Sequence, residues 1–274
     1  MCVISIIESA NMIPTKKTMQ DMEKTNPHGN GFGVFDNNKQ AIYIKKGIEL
    51  KELMSLTKEH KDKGNLQQIQ HYRITSHGTT NGFNCHGFEI KNGSSNDLEY
   101  YTNHDVLYHN GTLDFDTLNN MAIQIMINNK NAIYPTNKDN SQISDTRLLS
   151  WILSYMDYSI LNMFTDSNRF CIMNGKNGKI TKYGNWNNIK DDNQNIVTSN
   201  DYFKHDLFNF TNQYDDLEFM TKEEKKELKR LGKKYDLTQD DLIQDYLDYG
   251  YNVFDLEDII ENESNYLKYE CDYL

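Results

Sequence analysis

A cysteine stands directly behind the initiator methionine, and the β-branched run Val3-Ile4-Ser5-Ile6-Ile7 follows it at once. Cysteine is a small second residue, so removal of Met1 is expected. Cys2 would then carry a free α-amine and a thiol, which titrate near ~8 and ~8.5 when unperturbed. A base and a nucleophile of matched pKa on one residue is the arrangement in which an N-terminal amine activates its own side chain. Taken alone, Cys2 reads more simply as a small hydrophobe opening an edge strand. Three further polar clusters shift that reading.

The first is Gln70-His71-Tyr72-Arg73-Ile74-Thr75-Ser76-His77-Gly78, followed by Asn84-Cys85-His86-Gly87-Phe88. A plain core strand has no use for so many polar groups, whereas a pocket for a zwitterion does, because the Arg73 fork suits a carboxylate. No carboxylate or cysteine stands at ligand spacing on that strand, so no metal is expected, and His71 and His86 read as structural histidines. The second is Asn110-Gly111 after the run Val106-Leu107-Tyr108-His109. It is either an ordinary turn or a pair of donors, side-chain amide and backbone N–H, of the kind a tetrahedral oxyanion requires. The third is Ser144-Asp145-Thr146. Either of the first two residues would cap a helix, and Asp145 would also suit a ligand ammonium.

Several elements must position these groups. Val3 to Ile7 reads as a buried strand holding the terminus. Residues 31–35 and 41–45 flank the turn cluster Asp36-Asn37-Asn38-Lys39 as a hairpin. Gly29, Gly31 and Gly33 mark a tight backbone approach or loosen the loop. Residues 15–30 read as loop or short helix. Apolar spacing predicts helices over 49–62 and, for about five turns, over 144–164. A second hairpin joins 169–173 to 179–183, with Cys171 as inert core, and 196–199 is a last short strand. From 205 onward the pattern is helical and acidic. Thr221-Lys222-Glu223-Glu224 opens a helix to Lys234, and further helices begin near Thr238 and over 254–262.

The 274 residues suit one large domain with an appendage. The charge of −11 is uneven: residues 1–204 balance, and the whole excess lies in 205–274. Neither domain is basic, so nucleic acid is not an expected partner. The 4 cysteines form no CxxC pair or zinc spacing. The opening apolar run lacks preceding basic residues, so no signal peptide is read. The longest apolar stretch, 151–164, contains Asp157 and suits no membrane span. The reading is a cytoplasmic protein with free thiols.

The ordered set of an N-terminal Cys, an Arg-bearing strand ending in Ser-His-Gly, then Asn-x-His, His-Asn-Gly and Ser-Asp-Thr resembles the class II glutamine amidotransferase domain of the N-terminal-nucleophile (Ntn) hydrolases. The resemblance covers residues 1–204, ahead of an acidic helical extension over 205–274. It implies an α+β fold, specifically a four-layer αββα sandwich, and no cofactor. It implies that Cys2 attacks the glutamine side-chain amide with its α-amine as base. Arg73 would hold the α-carboxylate, with Ser76 and His77 lining the same pocket. Asn110 and Gly111 would form the oxyanion hole, and Asp145 would hold the α-amino group. The sequence departs from the family at Ile74 (commonly Trp), Ser76 (usually Thr) and Gly87 (usually Pro). The connection from Asp114 to Ile143 is long, and no element is read in it. The acidic extension is short for a second catalytic domain. The expected activity is therefore a glutaminase subunit supplying ammonia to a separate synthetase or amide ligase. The alternatives are a stand-alone hydrolase of γ-glutamyl or other small amides, and an inactive protein binding a regulatory target through its tail.

Overall fold

A computed structural model describes residues 2–95, 97–192, 194–204 and 222–235. The chain divides into two compact units, Met1–Lys204 and His205–Leu274. In the first unit the described strands are β1 (Val3–Ile7), β2 (Asn30–Asp36), β3 (Ala41–Ile48), β4 (Gln68–Tyr72), β5 (Phe88–Glu89), β6 (Glu99–Thr102), β7 (Val106–Asn110), β8 (Arg169–Met173), β9 (Ile180–Tyr183), β10 (Asn187–Asp191) and β11 (Gln194–Thr198). Its helices are α1 (Lys16–Thr25), α2 (Leu50–Asp62), α3 (Phe115–Asn128) and α4 (Asp145–Ile152). The fold is α+β. A seven-stranded sheet has the order β10-β11-β1-β4-β2-β3-β6, and a four-stranded sheet the order β5-β7-β8-β9. All described pairings are antiparallel.

Alternation along the strands sorts their apolar side chains into three clusters. Val3, Phe32, Val34 and Tyr43 of the large sheet join Met19 and Met22 of α1 and Leu53 of α2. Ile4, Ile6, Phe35, Ile42, Ile44 and Ile69 face the other way and meet Val106, Tyr108, Cys171 and Met173 of the small sheet. Leu107, Phe170 and Ile172 join Leu118 and Ala122 of α3 and Leu148, Leu149, Trp151 and Ile152 of α4. Strand β1 is therefore covered on both faces, which explains why all five of its residues are buried and all but Ser5 are apolar.

Glycines 31 and 33 serve close approach. A Cβ on Gly33 would lie 1.9 Å from Tyr108 Oη, and one on Gly31 would lie 1.8 Å from the His86 carbonyl oxygen. Gly87 also abuts Tyr108 Oη, at 2.5 Å from a built Cβ.

Three expectations change. The five-turn helix over 144–164 is two pieces: α4 ends at Ile152, and a 3₁₀ segment spans Tyr158–Phe164. The last turn of α4 tightens into i→i−3 bonds from Ser154 N to Trp151 O and from Tyr155 N to Ile152 O. Asp157 then caps Ser159 N at 2.8 Å and starts the next turn. The long connection after Asp114 contains α3, capped by Asp114 accepting from Thr117 N. The polar segment before the last strand forms β10, an edge strand with Ile189 as its buried apolar anchor.

In the second unit α5 spans Lys222–Tyr235, with Lys233 and Lys234 in the last turn, where positive charge suits the helix dipole. Arg230 Nη2 pairs with Glu227 Oε1 at 2.6 Å. The helices read near Thr238 and over 254–262 lie outside the described residues.

Candidate active site

Strand pairing brings the first two site residues together. Val3 of β1 lies opposite Tyr72 of β4, so one further step in antiparallel register sets Cys2 against Arg73. The end of β11 clamps the terminus. Ser199 Oγ accepts from Ile4 N at 2.9 Å, Ser199 N donates to Ile4 O at 2.9 Å, and Asn200 Nδ2 donates to Cys2 O at 2.8 Å.

Cys2 is buried, and its thiol donates to the Ile74 carbonyl at 3.3 Å. Burial pushes the thiol pKa up to about 11, against lowering contributions from the Ile74 hydrogen bond and nearby positive charge, including Arg73. A buried thiol of this kind is inert until a base relieves it of its proton.

Arg73 is 2% exposed. Its guanidinium donates to two carbonyls, Nη1 to Thr79 O at 3.2 Å and Nη2 to His77 O at 3.3 Å. Among the described residues it forms no salt bridge. Burial lowers its pKa, and Cys85, Cys2 and Asp145 oppose that shift. Asp145, the first residue of α4, is 4% exposed. Its Oδ2 accepts from Leu113 N at 2.9 Å and its Oδ1 from Thr146 N at 2.7 Å. It also forms no salt bridge among the described residues. A buried cation and a buried anion thus face one cavity, each held by neutral backbone groups. Burying single charges is costly without a partner, and a ligand with both charges would supply two.

Cys2, Arg73, Ser76, His77, Gly111 and Asp145 line this cavity together with Ile74, His86, Ser144 and Thr146. Asn110, the remaining residue singled out from sequence, ends β7 beside them and is buried, but it is not a lining residue. Its Oδ1 is buried with no hydrogen-bond partner. Gly111 has φ +141°, and a Cβ there would lie 2.0 Å from Asn168 Oδ1, so this position requires glycine.

His71 and His86 are packed and hydrogen-bonded as structural histidines, and His86 also lines the cavity. His71 and His86 stack at 3.9 Å, both buried. His71 Nδ1 accepts from His86 N, and His86 Nδ1 accepts from His109 N, each at 3.3 Å. Both rings are thus neutral with the proton on Nε2. Burial holds both pKa values well below the usual imidazole range. His109 Nε2 meets Asn168 Oδ1 at 2.8 Å, and its Nδ1 meets Thr146 Oγ1 at 2.9 Å. Asn168 Nδ2 donates to Phe164 O at 2.9 Å, which orients that amide.

His86 sits in the Asn-x-His motif and Thr146 in Ser-Asp-Thr, so both carried a signal. Ser199 and Asn200 carried none, because their role depends on which strand pairs with β1.

The cavity measures about 10 Å³, close to the space of one water. A more open cleft of about 370 Å³ is lined by Lys39, Ala41, Tyr101, Thr102 and Asn103. Its lining contains no cysteine, histidine or carboxylate. Among the described residues no group of three or more His, Cys, Asp or Glu could hold a metal ion. No helix among them is long and apolar enough to cross a membrane. Compared with known proteins, the chain matches no protein-family model and no curated sequence.

Proposed function

We propose that residues 1–204 form an N-terminal-nucleophile amide hydrolase that acts on the side-chain amide of glutamine or a closely related amino-acid amide. The observation that carries this reading is one cavity lined by a buried cysteine at position 2, a buried arginine and a buried aspartate. The succession of helices, large sheet, small sheet and helices in the three apolar clusters supports a four-layer αββα sandwich and agrees with the resemblance to class II glutamine amidotransferases.

On this reading Met1 is removed, because an acylated nitrogen has no basicity. The α-amine of Cys2 takes the thiol proton, and the thiolate adds to the amide carbon. Gly111 N–H and the Asn110 side-chain amide donate to the oxyanion. The protonated amine passes its proton to departing ammonia, leaving a thioester. Water, activated by the same amine, releases the acid and restores the thiol. Arg73 grips the α-carboxylate and Asp145 the α-ammonium. The tight cavity requires the wall formed by Ile74, Ser76 and His77 to yield when a glutamine-sized ligand enters. The ammonia acceptor is proposed to be a separate synthetase or amide ligase.

The test is ammonia and glutamate release from glutamine by purified protein, with intact mass reporting the loss of Met1. Cys2→Ala is expected to abolish release while leaving thermal unfolding within a few degrees of wild type. Turnover that survives Cys2→Ala would sink the proposal. Turnover of another small amide, but not glutamine, would move the assignment to the stand-alone hydrolase.

A further inference from the structure

Arg73, just past β4, and Asp145, at the start of α4, come from distant parts of the chain, yet a ligand gripped at both ends demands a fixed distance between them. Neither touches the other through a salt bridge. One side chain connects their supports. Asn84 is fully buried, with 0% exposure, at the end of a short 3₁₀ turn, Gly82–Asn84. Its Nδ2 donates to Thr79 O at 2.9 Å and to Gln142 O at 2.8 Å. Its Oδ1 accepts from Ser144 N at 3.0 Å and from Asn137 Nδ2 at 3.2 Å. Both donors and both acceptor sites of the carboxamide are used.

Two of these bonds lead to the cavity. Thr79 O is also the acceptor for Arg73 Nη1. Ser144 is the N-cap of α4, immediately ahead of Asp145. Thr79 N donates to Gln142 O, so the two loops also meet directly. Gly78 packs against the same segment: a Cβ there would lie 2.8 Å from Ser144 N. The path from guanidinium to carboxylate runs Arg73, Thr79 O, Asn84, Ser144 N, Asp145, with one buried amide at its centre.

We propose that Asn84 is a positioning residue that sets the spacing between the cationic and anionic ends of the ligand clamp. It makes the site specific for a ligand that carries both an α-carboxylate and an α-ammonium. This rests on the proposed clamp roles of Arg73 and Asp145. Asn84 does not touch the reacting atoms. Its contribution appears only when both ends of a ligand are engaged at once, since a ligand with one charged end does not sense the distance to the other.

Three amides share one reacting group and differ in their charged ends. Glutamine has both, glutaramate lacks the amine, and 4-aminobutanamide lacks the carboxylate. For Asn84→Ala and the milder Asn84→Ser, kcat/KM for glutamine is expected to fall at least tenfold, mainly through KM. The values for the two single-ended amides should change less than threefold. The preference for glutamine over each therefore collapses. A general loss of folding or of the nucleophile would instead lower all three together, and that pattern would overturn the proposal.

A second measurement covers variants that fail to fold. In the Cys2→Ala protein, saturating glutamine is expected to slow hydrogen exchange of the Ser144 amide at least threefold, and saturating glutaramate or 4-aminobutanamide to slow it less than that. A Ser144 amide unchanged by bound glutamine, or slowed equally by a single-ended amide, overturns the brace. If wild type neither hydrolyses nor binds glutamine, the function proposed above fails and the brace with it; if wild type hydrolyses glutamine while the Ser144 amide does not respond to it, the brace alone fails.

Discussion

Burial keeps Cys2 as a thiol donating to the Ile74 carbonyl, so reactivity depends on a base placed beside it rather than on a depressed thiol pKa. With the pKa near 11, the thiolate fraction at neutral pH is on the order of one in ten thousand. Arg73 and Asp145 were legible at this scale, because an arginine fork and a helix-capping carboxylate announce their chemistry by type. His86 was not, because the same imidazole serves equally as filler or wall, and only its neighbours decide. Lys46 is a second residue whose state is set by surroundings. It is 2% exposed, its Nζ lies 5.1 Å from the Phe88 ring centroid, and it donates to Phe83 O at 3.5 Å. Burial lowers its pKa from 10.5 to about 7, with the Arg147 charge adding to the shift and Cys85 and Asp97 opposing it. The unfolded chain therefore binds the proton more tightly than the folded one. The cost of burying the ammonium is present in full below pH 7 and fades as pH rises towards 10.5. Lys46→Met is expected to be more stable than wild type at pH 7. The gap should shrink on raising pH by at most ~1.4 kcal/mol per unit, read by urea denaturation across that range. A gap that widens with pH would show that the folded protein holds the Lys46 proton more tightly than the unfolded chain, with the ammonium stabilised rather than penalised.

At the scale of elements, the N-terminus of α4 does two jobs. Ser144 Oγ accepts from Arg147 N at 3.2 Å and starts the helix, while Asp145 on the next position faces the cavity. Ser144→Ala is expected to cost about 1 kcal/mol, seen as a lower denaturation midpoint with an unchanged slope. It should also raise KM for glutamine, because the aspartate rides on the cap. A stability loss with unchanged KM would separate the two jobs. The cap itself was readable, since Ser-Asp ahead of an apolar run is a start signal. The end of α4 was not. The apolar spacing continues past Ile152, but Ser154 Oγ turns back to Trp151 O at 2.7 Å and Asp157 caps a new turn. Local side-chain bonds to the backbone outcompeted the periodic pattern.

For the whole first unit, the contact between the two sheets sets how deeply the site is held. Tyr108 of the small sheet reaches the glycines at 33 and 87, and its hydroxyl is buried without a partner. Gly33→Ala forces a methyl into that oxygen and is expected to destabilise by about 1–3 kcal/mol. Tyr108→Phe removes the crowded hydroxyl and should recover most of the loss in a double-mutant cycle. Additive losses would mean that Gly33 is kept for backbone conformation and not for this contact. The strand runs, the site residue types and the chain order of the motifs were determined by sequence alone, because alternation and capping are local patterns. Tertiary structure decided which strands flank β1, that Ser199 and Asn200 clamp the terminus, that His86 joins the cavity wall, and that Asn84 ties Thr79 to Ser144. Those contacts join residues dozens to nearly two hundred positions apart. Short-range periodicity does not encode such pairings; they follow from how two sheets and their covering helices exclude water together.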